Sequence, residues 1–256
     1  MDDQGGSGHE AAINDFKAML KTCAYPAICG RDYILVAKLT EWLKSETRPL
    51  FGTTQVGRLL RAAYRDRNHV ALPVSVGQID HGHKCSLLVF SILLELGLGN
   101  LVHLWHWQGI VDTSLPIPLW SLKERIKKMD FLNFSLADVE QLAEKFNNMQ
   151  WRFCPANFQL NDGEDYNKER IIPICRKDLI NTKGGTAKLW QIVVQEEFVG
   201  KELREAVSSS RFKDPKGELG MVSQCTPPRG QLALITGVFI PLHINYWLVY
   251  SAINLP

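Results

Sequence analysis

The sequence predicts a mainly α-helical protein in which a small β-hairpin follows an N-terminal helical domain. Before residue 151, several segments carry apolar side chains at three- and four-residue spacing, the period of a buried helix face. Near residue 180 the pattern changes to Val, Ile and Trp residues beside a Gly-Gly pair, which indicates a strand, a turn and a second strand. Hydrophobic residues make up 45% of the chain and charged residues 22%, so a packed core is expected.

The helical domain is predicted over 13–151, after a polar leader at 1–12 that we expect to be disordered. Its clearest helix lies within 53–67, where apolar residues follow i, i+3, i+4, i+7 and i+8: Val56, Leu59, Leu60, Ala63 and Tyr64. Further helical patterns begin at Ile13, Arg31, Cys85, Leu101 and Ser135. Gly97 is expected to end the buried helix after Cys85, and Ser135 with Asp138 predicts a capping box.

Beyond Trp151 the composition changes, and a linker is predicted over 152–170 on the basis of Pro155 and polar residues. Short extended segments are predicted at 171–175 and 176–181, and a strand at 188–195. A helix is predicted over 198–207.

Charge and cysteine usage limit the partners and the compartment. The formal net charge of +2 is too small to favour nucleic-acid binding, so no nucleic-acid partner is predicted. Six cysteines are scattered without a CxxC pair, and the first residues do not form a secretory signal. We therefore expect reduced thiols and a cytoplasmic or nuclear protein.

Two histidine clusters raise the question of a metal site. His81, His83 and Cys85 offer three zinc-ligand types, but a fourth ligand is not evident. His103 and His106 share a helix face at i, i+3 spacing. The alternatives are a polar loop in the first case and packed histidines in the second, and no metal is predicted.

Tryptophans in the helical domain allow a second interpretation of its role. Trp105, Trp107 and Trp120 either pack in the core or form a protein-binding surface, because tryptophan is enriched at interface hot spots. A protein partner of the helical domain is therefore kept as a hypothesis.

The chain resembles a group of fungal protein-kinase-like proteins in which a helical N-terminal region runs directly into a kinase domain. The resemblance covers roughly residues 13–219, and its matching segments are 58–64, 90–94, 112–116, 150–155, 183–191 and 198–211. It implies that 171–220 is an incomplete kinase N-lobe, that the full-length relative is a serine/threonine kinase, and that this chain is truncated.

The glycine-rich turn departs from the kinase pattern G-x-G-x-x-G, which lets backbone approach the phosphates. Asn181 and Ala187 replace two glycines, and Leu189 replaces the valine that covers the adenine ring. The resemblance assigns a degenerate nucleotide loop to Asn181, Gly184, Gly185, Thr186, Ala187 and Leu189. It implies no cofactor, or at most weak ATP binding. An ordinary Gly-Gly hairpin turn is the alternative.

The catalytic parts of a kinase are absent from the 256 residues. No V-A-I-K lysine, H-R-D loop or D-F-G motif occurs, so the groups that position phosphates and bind metal are missing. We expect no enzyme activity from this chain and assign no catalytic residue.

The tail at 221–256 has a doubtful origin. From residue 231 onward it holds no charged residue, so a membrane anchor at 232–250 is one alternative, although Gly237, Pro241 and Asn245 oppose a span. Translated intron in a truncated gene is another. We expect residues after about 220 to be poorly defined, or helical and detached.

These observations leave three functional hypotheses. The first is a non-catalytic or truncated protein-kinase-family protein, a pseudokinase with a degenerate ATP loop. The second is a helical interaction or regulatory module, and the third is a tail-anchored membrane protein.

Overall fold

The computed structural model describes residues 5–48, 53–65, 72–80, 82–129, 135–159, 167–181, 189–209 and 231–235. The described residues are mainly helical and carry small antiparallel sheets, which confirms the predicted fold class. The α-helices are α1 (Gly5–Cys23), α2 (Val36–Lys44), α3 (Gln55–Ala63), α4 (Val76–Asp80), α5 (Leu87–Glu95), α6 (Val102–Trp107), α7 (Leu119–Lys127), α8 (Leu136–Phe153) and α9 (Lys201–Ser209). The strands are β1 (Ala24–Pro26), β2 (Asp32–Ile34), β3 (Glu46–Arg48), β4 (Thr53–Thr54), β5 (Ile174–Asn181), β6 (Leu189–Gln195) and β7 (Gln231–Ile235).

The chain divides into two compact units. The first, a helical unit, comprises Met1–Ala24 and Ile34–Cys154. The second, a sheet unit, comprises Tyr25–Tyr33 and Pro155–Pro256. The sequence indicated one continuous helical domain over 13–151, so the assignment of Tyr25–Tyr33 to the other unit is a structural finding.

The helical unit has one hydrophobic core, built from the predicted helix faces. On α3, Val56, Leu59 and Leu60 are buried, as the spacing predicted. On α5 the side chains of Leu87 and of Val89–Leu94 are all buried, as expected of a helix that is apolar nearly all round. The large side chains at the centre of this core are Phe16, Leu39, Phe90, Trp105 and Phe146.

Two predicted helix ends are confirmed. The Ser135 side chain accepts a hydrogen bond from the Asp138 N–H, and the Asp138 carboxylate accepts one from the Ser135 N–H, so both halves of the capping box are present. Gly97 follows α5 with φ of 74°, a backbone conformation that favours glycine over other residues.

The start of the chain and the region after Pro118 differ from prediction. Helix α1 begins at Gly5 rather than after a disordered leader over 1–12, because Ala12 is buried in the core and extends the packed face towards the N terminus. Helix α7 is not among the helices predicted from the sequence, and Pro116 and Pro118 lie just before it. Pro118 stands immediately before the first turn, where a fixed φ and a missing N–H cost nothing.

The sheet unit contains a three-stranded antiparallel sheet with strand order β5-β6-β7. Ile174 and Val194 of this sheet pack with Val199 and Leu203 in a small separate core. Strand β6 agrees with the predicted segment 188–195, and β5 covers the predicted segment 176–181 together with the last two residues of the segment 171–175.

Strand β7 differs from the expectation for the tail at five residues, Gln231–Ile235. We expected residues after about 220 to be poorly defined or helical, yet Gln231–Ile235 pairs antiparallel with β6 over five consecutive positions. The pairing with β6 places this segment in the sheet although its sequence lacks a clean period-two pattern. Residues 221–230 and 236–256 lie outside the described residues, and with them most of the segment 232–250 that was one alternative for a membrane anchor.

Candidate functional site

The two strands predicted on either side of the glycine pair are present as β5 and β6, which pair antiparallel. Strand register runs from Ile174 opposite Val194 to Asn181 opposite Leu189. Asn181 and Leu189, two of the residues assigned to the degenerate nucleotide loop, are therefore partners at the turn end of the hairpin. The other four assigned residues, Gly184, Gly185, Thr186 and Ala187, lie outside the described residues.

The third strand adds a feature that the sequence did not reveal. Strand β7 pairs with β6 so that Ala233 lies opposite Val193 and Ile235 opposite Gln191. The result is a three-stranded antiparallel meander in which β7 contains Gln231, Leu232, Ala233, Leu234 and Ile235 and thus no ionisable side chain.

At the opposite end of the hairpin, β5 and β6 contribute to a buried polar cluster, called here the Tyr33 cluster. The Tyr33 hydroxyl lies 3.2 Å from Cys175 Sγ, and the Gln195 side chain also hydrogen-bonds to that thiol. Phe198 packs edge-on against the Tyr33 ring, with 5.5 Å between ring centroids. No local sequence signal predicts this cluster, because Tyr33 and Cys175 are 142 residues apart.

Both acidic groups of the Tyr33 cluster are held in their protonated forms. Burial, assisted by the hydrogen bond to Cys175, raises the pKa of Tyr33 far above its usual value. Burial also raises the pKa of the Cys175 thiol, against the opposing effect of the hydrogen bonds from Tyr33 and Gln195. A raised pKa lowers the thiolate fraction of Cys175 and with it the nucleophilicity of the thiol, which favours a packing role for the cluster.

The helical unit contains a second polar cluster, at the start of α5, here called the Asp112 cluster. Asp112 Oδ1 accepts hydrogen bonds from the backbone N–H groups of Leu88 and Val89, at 3.0 and 3.1 Å. The Cys85 thiol also hydrogen-bonds to this carboxylate. Asp112 thereby satisfies N–H groups in the first turn of α5, which lack partners within the helix.

The titration of the Asp112 cluster is set mainly by burial. Desolvation raises the pKa of Asp112, and the backbone hydrogen bonds from Val89 and Leu88 oppose this shift. The pKa of the Cys85 thiol is likewise raised, first by burial. Burial, with a contribution from the Lys84 charge, lowers the pKa of His106.

The histidines weighed as metal ligands have other partners. His103 Nδ1 lies 2.6 Å from the Tyr64 hydroxyl, and His106 Nδ1 lies 3.0 Å from Ser86 Oγ. The part of the chain that the structure describes holds no group of three side chains arranged to bind a metal ion. His81 and the side chain of His83 are outside that description.

The three tryptophans separate into core and surface residues. Trp105 is buried and stacks on Phe146, with 4.3 Å between ring centroids. Trp107 is 60% exposed and Trp120 68% exposed, so both remain accessible within the described helical unit. The ring of Trp107 packs edge-on against His103, with centroids 5.1 Å apart.

Comparison with known proteins does not extend this description: no family model, curated protein or solved structure matches the chain. In the described part of the chain, no helix is both long enough and apolar enough to span a bilayer.

Proposed function

We propose that this chain is a non-catalytic, protein-kinase-like protein whose β5–β6–β7 sheet corresponds to the phosphate-covering sheet of a kinase. The antiparallel pairing of β5 with β6, which flank the glycine pair in the sequence, supports this assignment. The proposal that the chain is non-catalytic rests on the composition of β7. This strand is the third of the sheet and contains no lysine.

The physical reason lies in the charge of the phosphates. Phosphoryl transfer depends on a lysine from the third strand, a catalytic-loop aspartate and an aspartate that binds the metal ion. An uncharged third strand does not neutralise α- and β-phosphates, and the catalytic-loop motifs are absent from the sequence. Without these groups nucleotide is neither held in line nor activated, so binding is weak and turnover absent.

The test is nucleotide turnover by the purified full-length chain with Mg²⁺ or Mn²⁺. We expect ATP hydrolysis at the background rate. We also expect nucleotide to raise the melting temperature by about 1 °C or less, the shift produced by a ligand whose concentration is near or below its Kd. A double substitution, Gly184→Val with Gly185→Val, is the matched control. Turnover above background that disappears in this double variant would overturn the proposal.

A second function, protein binding by the helical unit, is favoured by the exposure of Trp107 and Trp120. Large aromatic side chains are costly to leave in water and act as anchors when a partner covers them. Photo-crosslinking from positions 107 and 120 in cells should then capture a common partner. Leu136, 61% exposed, is the control position. Equal labelling of unrelated proteins from all three positions would argue against a dedicated surface.

A further inference from the structure

The β5-β6-β7 sheet has two edges of unlike character. Strand β5 carries three consecutive charged residues, Arg176, Lys177 and Asp178. Its pairing with β6 is irregular at two places, and its Ile174 carbonyl accepts a hydrogen bond from the Ile28 N–H. Strand β7 has none of these features: it contains no charged residue and no proline, and its register with β6 is regular.

This difference matters because an edge strand presents unpaired N–H and C=O groups to any other strand. Charges, bulges and covering segments are the usual protection against such pairing. The β5 edge has all three kinds of protection. Among the described residues, no strand pairs with the outer edge of β7.

We propose that the outer edge of β7 is a homodimer interface, at which β7 pairs antiparallel with β7 of a second copy. The two three-stranded sheets then form one six-stranded sheet across a two-fold axis. In the fully overlapping register Ala233 lies opposite Ala233 of the second copy, Leu232 opposite Leu234, and Gln231 opposite Ile235. A two-fold interface uses the same patch on both copies, so the patch must be compatible with itself.

A second copy fits this edge better than an unlike partner. Like charges directly opposite each other destabilise a strand pair, and β7 contains no charge, so self-pairing meets no electrostatic penalty. The same lack of charge gives the strand nothing with which to select a complementary unlike chain. Because one five-residue strand pair is smaller than a standard interface of roughly 1,200–2,000 Å², the dimer should be micromolar rather than nanomolar.

Sedimentation of the wild-type full chain tests the dimer without any substitution. Over about 5 to 500 µM, a range chosen for a micromolar interface, the weight-average mass should rise from that of the monomer towards twice that value. A mass that stays at the monomer value throughout would overturn the proposal.

Cysteine crosslinking tests the register. Directly opposite Cβ atoms in an antiparallel pair are about 4.5–5.5 Å apart, so the Ala233→Cys variant should crosslink between copies with a short bifunctional thiol reagent. In the Gln231→Cys variant each new thiol lies opposite Ile235 of the second copy, so the two thiols are four residues, or about 14 Å, apart along the strands. This variant should crosslink no more than wild type. Circular dichroism confirms that both variants fold. Equal crosslinking of the two variants, or crosslinking of neither, refutes the β7 pairing.

Discussion

At the residue scale, the partly buried carboxylate of Asp112 organises the start of α5. It stands 24 residues after Leu88 in the sequence, yet its Oδ1 caps two N–H groups of that helix. The apolar pattern predicted α5 and Gly97 predicted its end. Neither signal indicates which distant side chain accepts hydrogen bonds from the N–H groups of its first turn. Such long-range caps depend on the tertiary fold, and local sequence patterns therefore miss them.

Removing this carboxylate should destabilise the helical unit. In Asp112→Ala the N–H groups of Leu88 and Val89 lose their acceptor, and an unsatisfied buried donor costs about 1–3 kcal/mol. We expect a decrease of ~2 kcal/mol in the free energy of unfolding, measured in urea. Asp112→Asn is the matched control, because its Oδ1 can still accept both bonds. Equal losses in the two variants would contradict the capping role.

The raised pKa of Asp112 also predicts the sign of a pH effect. A carboxyl group whose pKa is higher in the folded state binds its proton more tightly there, so its contribution to stability is fully present below the unfolded value near 3.8. That contribution is lost as pH rises through the folded pKa. We expect the free energy of unfolding of wild type, relative to that of Asp112→Asn, to increase as pH falls towards 4.

Asp138 provides the opposite sign as a comparison. Hydrogen bonds from Ser135 lower its pKa, so its contribution is present above 3.8 and disappears as pH falls through the folded pKa. Relative to Asp138→Asn, wild type should therefore lose stability on acidification. If both pairs show the same trend with pH, the assignment of Asp112 as a desolvated carboxyl is wrong.

At the element scale, α7 and α8 are joined through a buried side chain rather than through apolar contact alone. Gln150 on α8 accepts a hydrogen bond from the Ile117 N–H at 2.8 Å and donates one to the Ile117 carbonyl at 2.9 Å. These two bonds hold the segment before α7 against the last turns of α8. The apolar stripe of α8 predicted a packed face, but the polar contact of Gln150 could not be read from that stripe.

Replacing Gln150 with methionine should therefore destabilise the α7–α8 pair in spite of a similar volume. The substitution leaves a buried N–H and a buried C=O of Ile117 without partners, at a cost of about 2–6 kcal/mol in total. Asn148→Met on the exposed face of the same helix is the control and should change stability by less than ~0.5 kcal/mol. Chemical denaturation of both variants measures the difference, and similar values would show that the Ile117 bonds contribute little.

At the scale of the whole molecule, the segment Tyr25–Tyr33 differs most from the predicted domain organisation, which placed it in a continuous helical domain over 13–151. It lies between two helices of the helical unit but belongs to the sheet unit. The Arg31 guanidinium donates hydrogen bonds to the carbonyls of Glu169 and Arg170, at 2.8 and 3.0 Å. Because these partners are 138 and 139 residues away, composition and spacing placed the domain boundary only near Trp151.

This membership predicts how the chain responds to protease. In a fragment that ends at residue 154, Arg31 and Tyr33 lose their partners in the sheet unit, so trypsin should cleave after Arg31 at least ten-fold faster than in the full chain. Trypsin cleaves the locally unfolded form of the segment, and when refolding is fast the cleavage rate follows the population of that form. Mass spectrometry of timed digests measures the rates, with cleavage after Lys17 on α1 as the internal reference. Unchanged cleavage after Arg31 would mean that the segment is held by the helical unit itself.

Deletion of the tail tests whether β7 stabilises the sheet. The sequence left the origin of the tail at 221–256 open, and within it β7 supplies five paired positions to β6. A two-stranded hairpin alone is marginally stable in water, so removal of the third strand should expose β6 to solvent.

We expect deletion of 222–256 to increase hydrogen exchange in Ile192–Gln195 by at least ten-fold while exchange in α5 stays unchanged. Deletion of 236–256 alone keeps β7 and is the control. Unaltered exchange in β6 after the longer deletion would show that the β6–β7 ladder is not a stable element, and it would favour the interpretation of the tail as translated intron.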